Sequence, residues 1–449
     1  MFVKTTDDRA VAAGHSVDVS GWLAVFEDAV QRIAGRFTRR EPRLAARAFV
    51  TGLLSQAERK TCWQLAEQAG YRQPAPLQRL LRTAVWDAER VVSDVQGLLV
   101  ERLGDPQGVL IPDETGFVKK GTTSVGVQRQ YTGTAGRIEN SQVAVFLAYT
   151  GAGGRALLDR RLYLPEQAWC ADASRRISAG VPDEINFATK PRLALDMIDA
   201  AVRAGIPAGW VAGDEVYGAD PELRAGIRAH GLGYVLAIGC NGRVTVNDGR
   251  TRIRADEAAA RLTARCWQRM SAGIGAKGPR DYDWAQVVIG TCGNEHLLIR
   301  RRPETGELAF YLCWSPRQVP LATLVRVAGS RWAVEECFQS AKNEAGLDHY
   351  QVRGWTGWHR FTALAMLALA ILAVCATTQP AEPADPTRPA RSRAPIRLTL
   401  PEIRRLLNTL TARAAPNVRH ALHWSTWRRV HQARARQAHY QRRLRLPVT

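Results

Sequence analysis

The chain has 449 residues, enough for two or three domains and a large core, and its 46% hydrophobic and 23% charged content is that of a soluble globular protein. Its 62 basic side chains outnumber 42 acidic ones, a formal net charge of +20, which favours a polyanionic partner because each cation near a phosphate releases condensed counterions. Eight scattered cysteines with no CxxC pair, and nine histidines that make no helical ligand pair, argue against a disulfide framework or a zinc hydrolase.

The opening MFVKTTDDRA is polar and unlike a signal peptide, so a cytoplasmic, nucleoid-associated protein is expected. Residues 1–104 read as a helical, DNA-binding N-terminal domain. LAARAFVTGLLS and LLRTAVWDAERVVSDVQGLLVERL carry apolar residues near a 3.6 period. The stretch LAEQAGYRQPAPLQRLL has the cadence of a helix-turn-helix, which reads either as a DNA-reading unit or as one of many small helical hairpins. From Gly108 the period shortens: GVLIPD, VAVFLAYT and ALLDRRLYLP are strands. The helix PRLALDMIDAAVRAG, the strand GWVAGDEVYG, the helix PELRAGIRAHG and the strand GYVLAIG follow, so that 105–239 forms a mixed α/β sheet. Residues 240–325 hold a meander (AQVVIG, HLLIRRR, ELAFYLCW) and read as a β-rich insertion.

The amphipathic run SRWAVEECFQSAKNEAGL, Ser330 to Leu347, and the apolar run Phe361 to Ala376 lie in 326–376, read as the second part of the core. The apolar run has 16 residues, short of the roughly 20 that cross a bilayer, and reads as a buried helix. A Pro-rich linker is expected over 377–397, then a basic helical region over 398–449. From Pro386 to Thr449 there are 15 arginines, no lysine and one acid, Glu402; Arg428 and Arg429 on the last helix are candidate DNA contacts.

Two aspartates hold comparable places: Asp113 where GVLIP ends and Asp214 where WVAG ends. Each reads as a turn or N-cap acid, or, since ligand sites gather at the carboxyl ends of strands, as half of a converging pair. Acids gathered inside a basic protein point to Mg²⁺, which takes carboxylates together with phosphate oxygens; two such ions roughly 4 Å apart serve phosphoryl transfer. For a third acid the Ser330–Leu347 helix can be placed on a wheel at roughly 100° per residue. Val334, Cys337, Phe338, Ala341 and Ala345 form the buried stripe, with Arg331, Glu335 and Lys342 at its edge. Glu336 and Glu344 fall elsewhere, as surface charge. Arg331 and Glu335 read equally as an i,i+4 ion pair or as a phosphate contact beside a metal ligand.

Arg331, Glu335 and Lys342 reproduce the R-x3-E-x6-K part of the Y-x2-R-x3-E-x6-K signature of DDE-type transposases of bacterial insertion sequences. PDETGFVKKG, GDEVYG, QRQYTGTAGRIENSQVAVFLAY and GLDHYQVRGWTGWHRF also resemble segments of that group, so the resemblance runs from about Arg43 to Arg443. It implies an RNase H-like core interrupted by a β-strand insertion. It also implies that Asp113, Asp214 and Glu335 hold two Mg²⁺ ions, with Mn²⁺ as a substitute. Arg331 and Lys342 would contact phosphates at the element's ends, on double-stranded DNA bound by a homodimer. The signature's tyrosine position holds Ala328.

Lys119 and Lys120 read as DNA-backbone contacts or a solvated pair, and Trp284 and Trp314 as stacking platforms for an unpaired base or as core. His349 and His359 read as structural. The competing functions are a nuclease with the same metal core and no strand transfer, and a non-catalytic DNA-binding repressor.

Overall fold

The computed structural model describes residues 18–275, 278–378, 397–411 and 417–445. Five helices come first: α1 (Val19–Ala34), α2 (Arg40–Leu53), α3 (Cys62–Gln68), α4 (Ala75–Arg82) and α5 (Ala88–Leu103). Asp18 and Thr61 start α1 and α3 by accepting hydrogen bonds from the amides of Gly21 and Gln64, donors with no partner inside the helix. Strands β1 (Val109–Val118), β2 (Gln128–Thr132), β3 (Arg137–Gly151) and β4 (Gly154–Leu162) follow. Next come α6 (Ala173–Ala179), α7 (Lys190–Arg203), β5 (Trp210–Gly213), α8 (Glu215–Gly218), α9 (Pro221–Ala229) and β6 (Gly233–Ile238). Beyond them lie β7 (Arg243–Val246), β8 (Thr251–Arg254), α10 (Ala255–Ala260), β9 (Gln268–Gly275), β10 (Gly278–Ile289), β11 (Glu295–Arg301) and β12 (Leu308–Trp314). The chain closes with α11 (Leu321–Ser330), α12 (Trp332–Ala345), α13 (Trp355–Thr377), α14 (Leu400–Thr411) and α15 (Val418–Arg445).

These elements divide into two compact units. The sheet unit comprises Val92–Ala341 and Arg353–Trp355. Its strand β1 pairs antiparallel with β3 on one side and parallel with β5 on the other, and β5 pairs parallel with β6. Strands β2 and β4 share the far edge of β3. The order β4-β3-β1-β5-β6, with β3 alone running against the others, is the RNase H-like arrangement. Both faces of the central strands are covered, so β3 reads as an unbroken buried run from Ser141 to Tyr149 instead of alternating.

The expected β-rich insertion does not stand apart from this sheet. β12 pairs antiparallel with β6, from Phe310 opposite Ile238 to Trp314 opposite Tyr234, and β11, β10 and β9 follow outward. Among the described residues the sheet has ten strands, with β7 and β8 forming a separate hairpin. That hairpin and α10 pack Val244, Ile253 and Ala258 against Leu297 and Ile299.

The helical unit gathers the described parts of Met1–Val91, Lys342–Val352 and Thr356–Thr449. Its centre is α13, 23 residues long and apolar enough to cross a membrane, with 89% of its most apolar stretch buried. The apolar run Phe361 to Ala376, expected within the catalytic core, is the later part of this helix. From Thr356 onward it belongs with the helices instead: Phe361 meets the Phe49 ring edge-on at 5.9 Å, and Arg360 donates to the Trp86 carbonyl at 2.8 Å. The turn between α3 and α4, expected as a helix-turn-helix, is covered by α15. There His420, His423 and Trp424 donate to the carbonyls of Glu67, Arg72 and Tyr71. Most of the expected Pro-rich linker (379–396) lies outside the described residues.

Candidate active site

β1 and β5 pair in parallel with Val109 opposite Trp210 and Leu110 opposite Val211; continued to the end of β5, that register brings Asp113 level with Asp214. The sequence reading ended the first strand at Asp113. In the structure β1 runs on to Val118, because the 15-residue strand β3 keeps pairing with it after β5 has stopped at Gly213. Asp113 therefore sits where parallel pairing ends and antiparallel pairing continues. Asp214 also caps the short helix α8, accepting from the Val216 amide at 2.9 Å. Its two early readings, cap and strand-end acid, both describe it.

Burial, reinforced by the charges of Asp214 and Glu114, pushes the Asp113 carboxyl up to about 7. Burial and then Glu114 push Asp214 upward as well, and the Arg331 charge works against both shifts. The pair is thus acidic, sunken and only partly offset, a condition that a divalent cation relieves.

Asp113 stands opposite Phe146 in the β1–β3 ladder, so the two side chains share a sheet face. Phe146 meets Phe338 of α12 at 5.6 Å, which places α12 over the face that bears Asp113. The expected buried stripe of α12 is buried: Val334, Cys337, Phe338, Ala341 and Ala345 are all at most 8% exposed. Glu335, one turn before Phe338, is 54% exposed at its side chain and accepts from Arg331 at 3.0 Å. Among the described residues no three His, Cys, Asp or Glu side chains are grouped closely enough to hold a metal ion. The two aspartates fit a cation as a pair, while Glu335 is turned to Arg331. Arg331 itself is not inside one long helix, as the sequence suggested, but closes α11 just before α12 starts.

Three neighbours escaped the sequence reading. Glu114 accepts from Lys190 at 2.5 Å and from the Tyr217 hydroxyl at 2.9 Å, and its charge bears on both aspartates. The only local hint was the doubling of acids in PDETG and GDEVYG; nothing near Lys190 or Tyr217 in the chain marks them. Glu336 and Glu344 are not surface charge. Glu336 pairs with Arg155 and, at 3.4 Å, with Arg280, while Glu344 is 7% exposed and accepts from Arg404 at 2.6 Å in the helical unit.

The other candidates are dispersed. Lys342 belongs to the helical unit, half-buried, with its pKa lowered by burial. Lys119 and the exposed Lys120 follow β1, roughly 20 Å along the strand from Asp113 at about 3.3 Å per residue. Trp284 is fully buried and donates to the Met270 carbonyl at 3.2 Å, so it is core and offers no face to a base. Trp314 is half-buried, stacked on Tyr234 at 6.3 Å. Arg428 is taken up by an ion pair with Glu67 at 2.5 Å, and Arg429 is exposed. Ala328 is 5% exposed, so the signature's tyrosine position lies in the interior here.

Residues 32–269, spanning β1, both aspartates and the start of the added strands, match the family model described as DDE superfamily endonuclease. The chain belongs to this family. The match stops short of α12, so it covers Asp113 and Asp214 but not Glu335. A probable transposase for insertion sequence element IS701 from Microchaete diplosiphon is 29% identical over 196 residues. That stretch covers 43% of this chain and 48% of the relative, so about half of that protein's length is matched. Among solved structures, a piggyBac transposase synaptic complex with hairpin DNA is 11% identical, with a TM-score of 0.38. The alignment covers 84% of this chain and 72% of that one.

Proposed function

We propose that this endonuclease-family chain is a DNA transposase that binds the ends of an insertion sequence, cleaves them and joins the freed 3′-hydroxyls to target DNA. The observation that carries the reading is the pair Asp113 and Asp214, brought level on adjacent parallel strands, half-buried, and incompletely compensated in a chain of net charge +20. Family membership supports the cleavage chemistry, and the likeness to an insertion-sequence transposase supports the joining step.

Asp113 and Asp214 would hold the divalent ions, Mg²⁺ with Mn²⁺ as substitute, and Glu335 would complete the set once released from Arg331. Such ions supply Lewis-acid activation of an attacking oxygen and charge neutralisation at the scissile phosphate. The protein's own part is positional. The β1–β5 register fixes the aspartate spacing, the Phe146–Phe338 contact fixes α12 above them, and Lys190 with Tyr217 keeps Glu114 engaged. Arg331 would exchange its Glu335 partner for a DNA phosphate, a trade that a guanidinium makes without losing charge-assisted hydrogen bonds. No covalent protein intermediate is required. Two element ends call for two active sites, hence a homodimer on DNA.

A donor plasmid bearing the element ends, incubated with the protein and Mg²⁺, should yield joined products with a supercoiled target. Nicking without joining would leave a nuclease, and DNA binding with neither would leave a repressor. Loss of both reactions in Asp113→Ala and Asp214→Ala is required; wild-type transposition by either variant would sink the metal-site assignment.

A further inference from the structure

A second cluster of charge lies elsewhere in the sheet unit. Helix α9, strands β6, β10, β11 and β12 and the β7–β8 hairpin line an open pocket of about 340 Å³. Four arginines line it: Arg224 and Arg228 from α9, Arg243 from β7 and Arg252 from β8. In the hairpin Thr245 stands opposite Arg252, and Arg243 precedes Thr245 by two residues, so both arginines project from one face.

One carboxylate in the lining meets these four cations. Glu295 pairs with Arg228 at 2.5 Å, and Arg228 also donates to the Tyr234 hydroxyl at 2.6 Å and lies 5.4 Å from the Trp314 ring. Arg224 donates to the Gly218 carbonyl, at the end of the helix that Asp214 caps. Arg243 and Arg252 are exposed and have no ion-pair partner among the described residues. The pocket therefore carries three positive charges in excess, two of them uncommitted. Arginines gathered only for structure would come with acids, since like charges at this spacing repel. Guanidinium groups on converging elements are instead the arrangement that captures phosphate oxygens.

We infer that this pocket is a binding site for the phosphodiester backbone of DNA, separate from the aspartate pair and joined to it through Arg224 and α8. The inference rests on the reading of the protein as a DNA enzyme. Arg243 and Arg252 make the phosphate contacts, and Arg228, pinned by Glu295 and Tyr234, forms the rigid back wall.

The test is the salt dependence of binding to a fluorescent duplex carrying an element end, for the wild type, R243Q/R252Q and R243K/R252K. Each lost phosphate contact lowers the slope of log K against log salt by about 0.9, so the glutamine pair should lower it by about 2. Its Kd at about 0.15 M salt should rise roughly tenfold or more, and the lysine pair should restore most of the loss. An unchanged slope and affinity in the glutamine pair overturns the pocket and leaves the DNA reading intact. So does a salt slope that lysine fails to restore, because counterion release counts charges whichever side chain carries them. The same titration with a free mononucleotide separates the two sources of phosphate. If the glutamine pair loses the nucleotide but keeps the duplex, the site is a nucleotide pocket and the inference fails. A wild type that binds no duplex even at low salt overturns both readings together.

Discussion

In the sheet unit Asp113 and Asp214 are drawn partly into the protein beside another acid, with backbone amides and the charge of Arg331 opposing their shifts. In the helical unit Glu344 is buried more deeply than either aspartate, yet it accepts from Arg404 at 2.6 Å, and Lys60, 3% exposed, stands in the same cluster. Arg404 and Lys60 both donate to the Ser55 carbonyl, so each cation has an oxygen besides Glu344. The consequences of removal differ in sign. A carboxylate buried with its cations is costly to remove, because its loss strands them. Carboxylates buried without them lower the stability of the empty protein and are retained for a ligand that brings the missing charge.

The comparison can be broken most sharply at the aspartates themselves. Asp113→Ala or Asp214→Ala should lower end cleavage by about a thousandfold or more, roughly 4 kcal/mol of transition-state stabilisation, in a plasmid cleavage assay. Glu344→Gln should cost about 3 kcal/mol in urea unfolding and leave the cleavage rate per folded molecule near wild type. If it stabilises instead, the helical cluster is not compensated as described.

Asp113→Asn should do the reverse in metal-free protein, adding roughly 2 kcal/mol near pH 8. The Asp113 pKa is raised to about 7 in the folded state, against about 3.9 unfolded. Its destabilising effect is therefore absent below about pH 4, grows as pH rises through 7, and should vanish again on acid titration. A stability gain that is the same at pH 4 and pH 8 would show that charge burial is not its source.

Arg331→Gln should weaken binding to an end duplex about tenfold, near 1.4 kcal/mol; its ion pair with the 54% exposed Glu335 is solvent-screened, so what stability is lost comes from the two aspartates its charge offsets. An unchanged Kd would return Arg331 to the role of ion-pair partner alone. The smallest effect belongs to Trp284→Phe, which should cost about 1 kcal/mol of stability and leave DNA affinity within twofold.

Much of the aspartate site could be read from local pattern. Short apolar runs ending in Asp113 and Asp214 mark two strands, and the spacing of Val334, Cys337, Phe338, Ala341 and Ala345 orients α12 without any structure. What could not be read depends on partners distant in sequence. Glu344 lies 60 positions from Arg404, and Glu336 meets arginines from β4 and β10, so a helical wheel has no means of burying either. The β6–β12 pairing joins residues more than 70 positions apart, and nothing in the run ELAFYLCW states which strand it will sit beside. Trp284 shows the same limit, since beyond Tyr282 on its own strand it meets the Met270 carbonyl of β9 and the Tyr311 ring of β12, which its flanking residues do not announce.

The single row of hydrogen bonds between β6 and β12 also bears on how such a chain can change over generations. Among the described residues the strands outward of it, from β11 to the β9 edge, hydrogen-bond to the catalytic sheet at this seam and also reach α12 through Arg280 and Glu336, with β5 and β6 standing between the seam and β1. The register that sets Asp113 against Asp214 belongs to β1 and β5 and is not part of that margin. A catalytic sheet can in this way carry further strands at its margin while the spacing of its two aspartates stays fixed by β1 and β5.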